Sequence, residues 1–262
     1  MTTRFLDVPL ERHPSLASTN DEALRRAEEG APSGLVVFAE TQTAGRGRQG
    51  RSWNDVAGAS LAFSVVLRPT IPLPQYPLLA IAMACAVAEA CEELSGTAFA
   101  VKWPNDVLLE GRKVCGVLAE SRVPSAVRVP GGAGLALVVG AGVNVNHHED
   151  DFSAELRARA ASLRMAAGGR TFNVVHVLDA ILARFERYVA LASAADAAPL
   201  WNAVLRRLPA PGTRASIRSG DRLFQGVIQG FTETGAIRLL EDGRAEAVTL
   251  SAGEMELAGE TA

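Results

Sequence analysis

The chain has 262 residues, of which 48% are apolar, and a formal net charge of −3. Its length fits one large domain or a medium domain with a small appendage, and its apolar fraction is ample for a core. The weak negative charge argues against a global attraction to nucleic acid or to an anionic membrane, and the longest apolar run, residues 78–88, is far shorter than the ~20 residues that span a bilayer.

The first half of the chain predicts two helices and two strands around a polar loop. Ser18, Thr19 and Asn20 precede two acids and a run with helical spacing, so a helix is predicted to begin near Thr19 and to end at Gly30. The residues before Pro14 lack the apolar core of a signal peptide. The other elements predicted in this half are buried strands at residues 35–39 and 61–67, a loop at 41–54 and a buried helix at 78–94.

A β-rich region comes next, and two more helices follow it. Alternating apolar residues predict strands at residues 99–102, 107–109, 113–120, 127–130 and 135–143. Glu110 and Gly111 form a tight hairpin turn, and Gly131 and Gly132 form a glycine-rich turn. Apolar spacing predicts helices at residues 174–191 and 200–208.

The clearest boundary of the chain is the turn that begins at Pro209 and ends at Gly212. Short alternating segments separated by glycines follow it, at residues 214–218, 223–229, 236–240 and 245–250. This pattern is typical of a small antiparallel barrel. We therefore predict two domains, residues 1–208 and 209–262.

The cysteines indicate the cellular compartment. Cys85, Cys91 and Cys115 are odd in number, lie in apolar runs and fit no metal-binding spacing. They are predicted to be buried, reduced thiols, which favours a cytoplasmic location.

A loop rich in glycine and arginine is the first chemical motif. Gly45, Arg46, Gly47, Arg48 and Arg51 place three cations close together with no acid among them. Guanidinium groups bind phosphate or carboxylate oxygens, and backbone N–H groups between glycines can form an anion nest. The alternative is a solvated mobile loop. Trp53, two residues further on, could stack a nucleobase or simply pack in the core.

The second motif contains both lysines of the chain. Of 26 basic residues only Lys102 and Lys113 are lysine, which suggests a need for compact, movable charges there, although codon bias is an alternative. Asn105 can donate and accept hydrogen bonds, and Asp106 can hold a cation or orient a lysine. Strand alternation predicts that Lys113 shares a face with Cys115 and Val117, residues that flank Gly116.

A third motif ends another predicted strand. Gly140 and Gly142 suggest that something approaches the backbone closely, and Asn144 could bind a phosphate or a ribose. His147 and His148 follow, but adjacent side chains at a strand end point apart, so we predict no transition-metal site there.

Together, these motifs closely resemble the bacterial biotin protein ligases. The resemblance rests on Ser-Thr-Asn, Gln-x-x-Gly-Arg-Gly-Arg-x-Gly-Arg-x-Trp, Lys-Trp-Pro-Asn-Asp, Arg-Lys-x-x-Gly and Gly-x-Gly-x-Asn, in this order. It implies an α+β fold in which helices flank a mixed or antiparallel sheet, as in class II synthetases, with a small SH3-like C-terminal barrel. It also implies that ATP activates biotin to biotinyl-5′-AMP, and that biotin then passes to a lysine of a biotin carboxyl carrier domain.

The resemblance also implies roles for single residues. The biotin-binding residues would be Ser18, Thr19, Asn20, Gln42, Gly45, Arg46, Gly47, Arg48, Lys113 and Gly116. The ATP-binding residues would be Arg48, Arg51, Trp53, Lys102, Asn105 and Asn144, and the catalytic residues would be Lys113, Arg48, Arg46 and Lys102. Mg²⁺ would arrive with ATP rather than in a protein cage. A homodimer is possible.

Alternative functions stay open at this point. A lipoate-protein ligase or octanoyltransferase would share the fold but would need a long apolar tunnel. A biotin-binding protein without catalysis would keep the pocket, and an RNA-binding module would use the arginine loop and the barrel. Because the Ser-Thr-Asn motif begins at Ser18, we expect no DNA-binding domain and no repressor role.

Overall fold

The computed structural model describes residues 4–121, 135–192 and 196–257. Its larger sheet has eight strands in the order β1-β2-β3-β4-β8-β7-β6-β5. All strand pairs in this sheet are antiparallel except β2 with β3, which is parallel. Its strands are β1 Arg4–Phe5, β2 Val8–His13, β3 Val36–Ala39, β4 Ser60–Leu67, β5 Ala100–Lys102, β6 Asp106–Leu109, β7 Arg112–Ser121 and β8 Leu137–Asn144.

Helices cover this sheet and complete its core. They are α1 Thr19–Glu28, α2 Pro77–Ser95, α3 Ala154–Arg157, α4 Leu163–Ala166, α5 Val174–Leu191 and α6 Ala198–Leu205. Short 3₁₀ turns lie at Arg48–Gly50, Leu73–Gln75 and Glu149–Asp151. No helix in the described ranges is long and apolar enough to cross a membrane.

The first helix is fixed at both ends by side chains. Ser18 is the N-cap, and its hydroxyl accepts a hydrogen bond from the backbone N–H of Asp21 at 3.4 Å. At the other end the Arg68 guanidinium donates to the carbonyl oxygens of Ala27 and Ala31, both at 3.0 Å. Helix ends leave backbone groups without intrahelical partners, so these contacts hold the start of α1 in a defined position.

The second helix is the centre of the core. Most of its residues are buried, from Leu78 to Cys91, because it lies between the sheet and the helices α5 and α6. A continuous apolar run with no polar face is expected of a helix that is surrounded by protein. Gly96 ends it in the left-handed conformation, with a φ of 77°. The predicted cysteine burial is confirmed, since Cys85, Cys91 and Cys115 are free and buried.

A bulge in β7 corrects one expectation about side-chain direction. Val107 pairs with Cys115 but Leu108 pairs with Lys113, so Val114 is an extra residue on β7. An extra residue reverses the alternation of faces. Cys115 is therefore buried in the core, whereas the Lys113 side chain lies against Gly116. The prediction that Lys113 shares a face with Cys115 and Val117 is wrong.

The second sheet has five antiparallel strands in the order β12-β11-β10-β9-β13. These strands are β9 Arg214–Ser219, β10 Arg222–Phe231, β11 Ile237–Glu241, β12 Ala247–Leu250 and β13 Glu254–Leu257. The predicted mixed α+β fold with a small β unit is confirmed. Within the described ranges the two sheets share no strand, so we propose that residues 1–208 and 209–262 form two domains.

Five short elements were not predicted from the sequence. Strands β1, β2 and β13 and helices α3 and α4 have between two and six residues, too few to show a clear periodic pattern. The strand predicted at residues 127–130 and the turn at Gly131 and Gly132 lie outside the described residues.

A buried hydrogen bond joins the two sheets. The Trp103 indole Nε1–H donates to the carbonyl oxygen of Gly235 at 2.8 Å, and Trp103 is only 1% exposed. Gly235 also lies against Leu78 and Ile81 of α2. This contact anchors the smaller sheet to the turn that follows β5.

Trp103→Phe is expected to lower the free energy of unfolding by about 1–3 kcal/mol, because it leaves the buried carbonyl of Gly235 without a donor. Urea titration measures the change. Trp201→Phe, on α6, is the matched control and should have a smaller effect. Equal small losses for the two variants would contradict the anchoring role of Trp103.

Candidate functional site

A cavity of about 220 Å³ lies where both sheets and the glycine–arginine loop meet. Its wall is built from the start of α1, the loop before β4, the turn between β5 and β6, strands β7 and β8, and the start of β13. The fold brings thirteen predicted site residues to this wall: Ser18, Thr19, Asn20, Gln42, Arg46, Gly47, Arg48, Arg51, Trp53, Lys102, Asn105, Lys113 and Gly116.

The glycine–arginine loop is closed by its own backbone. The N–H of Gly47 donates to the Arg51 carbonyl at 2.7 Å, and the N–H of Trp53 donates to the Gly45 carbonyl at 2.9 Å. Gly45 is buried beneath the loop, where a Cβ atom would lie 2.8 Å from the Trp53 carbonyl oxygen. Gly45 therefore allows the backbone at Gly45 and the backbone at Trp53 to approach closely, and it does not line the cavity.

The three arginines of the loop are held by distant groups. Arg46 donates to Asp21 Oδ1 at 2.6 Å and to Glu120 Oε2 at 3.0 Å. Arg51 forms an ion pair with Glu254 at 2.6 Å. The loop itself contains no acid, but the fold supplies acids from α1, β7 and β13.

Arg48 is the most enclosed of these arginines. Its Nη1 donates to Asn105 Oδ1 at 3.0 Å and to the Gly253 carbonyl at 3.2 Å. Burial lowers the pKa of its guanidinium from the usual value, whereas the carboxylates of Asp106 and Glu254 oppose that shift. An arginine remains charged under these conditions, so the cavity keeps a fixed cation beside the smaller sheet.

Lys113 is positioned through both its backbone and its side chain. Its amino group lies 2.7 Å from Asp106 Oδ1, and a Cβ atom on Gly116 would come within 3.0 Å of that amino group. The Lys113 N–H donates to the Arg159 carbonyl at 2.7 Å, and the Lys113 carbonyl accepts from the N–H of Ala161 at 2.9 Å. The β7 bulge and the segment before α4 therefore aim this amine into the cavity.

Asn144 does not line the cavity, although it was predicted to contact a nucleotide. It is 6% exposed, and its Nδ2 donates to the carbonyl oxygens of Ala161 at 3.0 Å and Lys113 at 3.4 Å. Its position supports a role in holding Lys113 rather than direct nucleotide binding. Lys102 and Asn105 do lie on the cavity wall.

Trp53 lies flat against glycines of the sheet. A Cβ atom on Gly142 would fall 2.5 Å from the indole, and one on Gly116 would lie 3.5 Å from it. The sequence motif that contains Gly140 and Gly142 is thereby explained, because both leave room for side chains above the strands. Trp53 belongs to the site, and its indole N–H is buried with no hydrogen-bond partner among the residues that the structure describes.

The opposite end of the cavity is polar. Gln42 Oε1 accepts hydrogen bonds from the backbone N–H of Thr19 at 2.7 Å and from the Thr19 hydroxyl at 3.1 Å. Asn20 Nδ2 donates to Glu120 Oε2 at 2.8 Å. Ser18, Thr19 and Asn20 are each 4% exposed, so this end is built from enclosed hydrogen-bonding groups.

The histidines near β8 lie apart from this wall. His147 is buried and stacks on Phe152 with ring centroids 5.1 Å apart, and burial lowers its pKa. A separate group of Glu11, His13 and Glu22 could hold a metal by distance, but Arg26 forms ion pairs with both of its acids.

The fold is that of a protein ligase. The chain belongs to the Biotin/lipoate A/B protein ligase family, whose model matches residues 13–144. The resemblance stated from the sequence motifs is thereby confirmed.

Relatives along most of the chain support this membership. The bifunctional ligase/repressor BirA of Bacillus subtilis is 33% identical over 243 residues, which cover 91% of this chain and 71% of that protein. The biotin--[acetyl-CoA-carboxylase] ligase of Paracoccus denitrificans is 35% identical over 225 residues, covering 85% and 90%. The biotin protein ligase from Aquifex aeolicus, in complex with biotin and ATP, superposes with a TM-score of 0.76 at 27% identity, covering 95% and 97%.

Gly142→Ala is expected to displace the Trp53 indole, because the new methyl group would overlap it. Tryptophan fluorescence and acrylamide quenching should show a more accessible indole, and overpacking should cost about 1–3 kcal/mol of stability.

Gly47→Ala is the matched control, since its Cβ would meet only ordinary contacts at 3.6 Å. Unchanged quenching in Gly142→Ala would show that Trp53 does not rest on this glycine.

Proposed function

We propose that this protein is a biotin protein ligase that forms biotinyl-5′-AMP from biotin and ATP and then transfers biotin to a lysine of a biotin carboxyl carrier domain. The observation that carries the proposal is one cavity with an enclosed polar end and a cluster of cations beside it. Family membership and the similarity to ligases named for biotin support it.

The first step must bring two anions into contact. At 4 Å, two unit charges of the same sign repel by about 4 kcal/mol at an effective dielectric constant of 20. Lys113 and Arg48 line the same cavity and offset this repulsion when the biotin carboxylate attacks the α-phosphate of ATP. Charges that are already in place stabilise the transition state without reorganisation during the reaction.

The cavity wall offers each reactant a matching surface. The polar end formed by Ser18, Thr19 and Gln42 suits the ureido ring of biotin, whose carboxylate would then extend toward Lys113. Trp53, on the glycine floor, suits the adenine, since indole–base stacking contributes about 1–3 kcal/mol in nucleic-acid complexes. Alignment of two bound reactants supplies a large part of a catalytic effect.

Lys113 serves both steps in this proposal. In the first step its ammonium neutralises the phosphate oxygens as pyrophosphate leaves. In the second step the carrier lysine attacks the acyl carbon, the C–O bond to AMP breaks, and Lys113 stabilises the departing phosphate. Asp106 holds the Lys113 amine at 2.7 Å, so the charge is positioned before substrate arrives.

Mg²⁺ would be carried mainly by the nucleotide. This ion prefers oxygen ligands and is usually bound through one or two carboxylates together with phosphates and water. Carboxylates on the cavity wall are Asp106, Glu254 and Glu256, of which Asp106 is paired with Lys113 and Glu254 with Arg51. This donor set fits an ion that enters with ATP, and Mg²⁺ supplies further charge neutralisation there.

The polar end argues against the nearest alternative. A lipoyl or octanoyl chain needs an apolar tunnel, whereas Thr19, Asn20 and Gln42 enclose hydrogen-bonding atoms. A cytoplasmic location fits the three free cysteines. The homodimer and the absence of a DNA-binding role stay predictions.

The decisive experiment mixes the purified protein with biotin and MgATP and detects biotinyl-AMP by mass spectrometry. Lipoic and octanoic acids in place of biotin are the parallel reactions. Pyrophosphate release with either of these acids but not with biotin would overturn the proposal.

Lys113→Ala is expected to lower adenylate formation about 10²-fold or more, because it removes a charge that acts on the transition state. Thermal unfolding should be nearly unchanged, since the amine is partly exposed. Single-turnover pyrophosphate release measures the rate. Near-normal turnover would remove Lys113 from the catalytic group and favour another cation.

Arg48→Gly is expected to release the adenylate into solution, because the loop loses its bonds to Asn105 and Gly253. The readout is biotin labelling of an unrelated protein such as serum albumin. Arg25→Gly, on the exposed face of α1, is the control and should leave labelling at the wild-type level. Equal labelling by both variants would show that Arg48 does not retain the intermediate.

A further inference from the structure

A fully buried serine lies behind the polar end of the cavity, and no motif of the sequence includes it. Ser64 is on β4 and is 0% exposed. Its Oγ lies 2.6 Å from Asn20 Oδ1 and 2.8 Å from Thr19 Oγ1. Ser64 does not line the cavity but contacts two residues that do.

The orientations of the neighbouring amides are fixed independently of Ser64. Asn20 Nδ2 faces two groups that only accept, Glu120 Oε2 at 2.8 Å and the Leu118 carbonyl at 3.3 Å. Asn20 Oδ1 therefore points at Ser64. Gln42 Oε1 is likewise fixed as an acceptor, because the backbone N–H of Thr19 donates to it at 2.7 Å.

The hydroxyl protons of Ser64 and Thr19 are then accounted for. Three short oxygen–oxygen contacts, at 2.6, 2.8 and 3.1 Å, share the two protons of these hydroxyls. An amide oxygen cannot donate, so the Ser64 proton goes to Asn20 Oδ1. The Thr19 proton goes either to Ser64 or to Gln42, and in both cases it is used inside the protein.

Thr19 consequently offers only lone pairs to the cavity. Gln42 Oε1 beside it is also an acceptor. A ligand that binds against these oxygens must bring N–H or O–H donors, because facing acceptors would repel one another. A cyclic urea carries N–H donors on its ring, whereas a dithiolane ring or an alkyl chain carries none.

We propose that Ser64 is a specificity-determining positioning residue, whose hydroxyl acts together with Gln42 to hold Thr19 as an acceptor and so favours acids with N–H groups on the ring. The inference rests on the proposed function, since it concerns the ring end of the biotin site. Without the Ser64 hydroxyl, the Thr19 proton keeps only the longer contact to Gln42 Oε1, at 3.1 Å, as an internal acceptor, so it turns toward the cavity more often and opposes a ligand N–H.

Gly140 is part of the same arrangement. A Cβ atom on Gly140 would lie 1.9 Å from Asn20 Oδ1 and 2.9 Å from Ser64 Oγ. Bare backbone on β8 is therefore what allows the Asn20 amide and the Ser64 hydroxyl to meet.

The test measures pyrophosphate release with biotin and MgATP for the wild type, Ser64→Ala and Ser64→Cys. Alanine nearly keeps the volume but has no donor, and cysteine is a larger side chain with a weak donor, so both variants should raise the KM for biotin about three- to tenfold. The kcat at saturating biotin and the KM for ATP should stay within about twofold, because the lost contact stabilises bound biotin equally in the ground state and in the transition state.

Ser60→Ala is the matched control. Ser60 is on the same strand, is 4% exposed and accepts a hydrogen bond from the Val56 N–H at 2.8 Å, but it lies off the cavity wall. Its KM for biotin should equal that of the wild type. Thermal unfolding of all variants separates lost stability from lost recognition.

Biotin methylated on one or the other ureido nitrogen provides a second test. The measured quantity is the loss of affinity that the methyl group causes, which a purely structural role of Ser64 would not change. The analogue blocked at the nitrogen facing Thr19 should bind the wild type more weakly than biotin, and this penalty should shrink in Ser64→Ala. An unchanged penalty, an unchanged KM, or parallel losses in kcat and in both KM values would overturn the inference. A wild-type protein that forms no biotinyl-AMP would instead contradict the proposed function.

Discussion

The site depends on cations that are held by carboxylates and amides before any substrate binds. Lys113 pairs with Asp106, Arg46 with Asp21 and Glu120, and Arg51 with Glu254. Exposed ion pairs of this kind add little stability, about 0–1 kcal/mol each. Their contribution is to geometry, because they hold several positive charges around one cavity. Without these pairs, mutual repulsion would move the charges farther apart.

The two sheets cooperate in this arrangement through few contacts. The larger sheet supplies the glycine floor and Lys113, while the smaller sheet supplies Gly253 and Glu254 to the arginine loop. The bond between Trp103 and Gly235 sets the distance between them. A small shift of the smaller sheet would therefore move Arg48 and Arg51 together, without any change in the core around α2.

Local patterns predicted the parts of the site that are contiguous in sequence. The helix start near Thr19 and the buried helix predicted at residues 78–94 follow from residue type and spacing, and the structure has both, in α1 and α2. Partners far apart in sequence were not predictable, because Arg46 meets Glu120 across 74 residues and Arg51 meets Glu254 across 203. The bulge at Val114 was missed as well, since nothing in the sequence of β7 shows where the ladder gains a residue. Ser64 was overlooked because a lone serine in an apolar strand carries no local signal.

The long separation between Arg48 and Gly253 has a consequence for biosynthesis. These residues are 205 positions apart, so the ribosome completes the polar end and the lysine strand well before it adds the last wall of the cavity. Contacts of such high sequence separation also form late in folding, because loop closure must precede them. During synthesis the chain would therefore hold the polar end of the cavity before the Arg48 guanidinium can bind the Gly253 carbonyl.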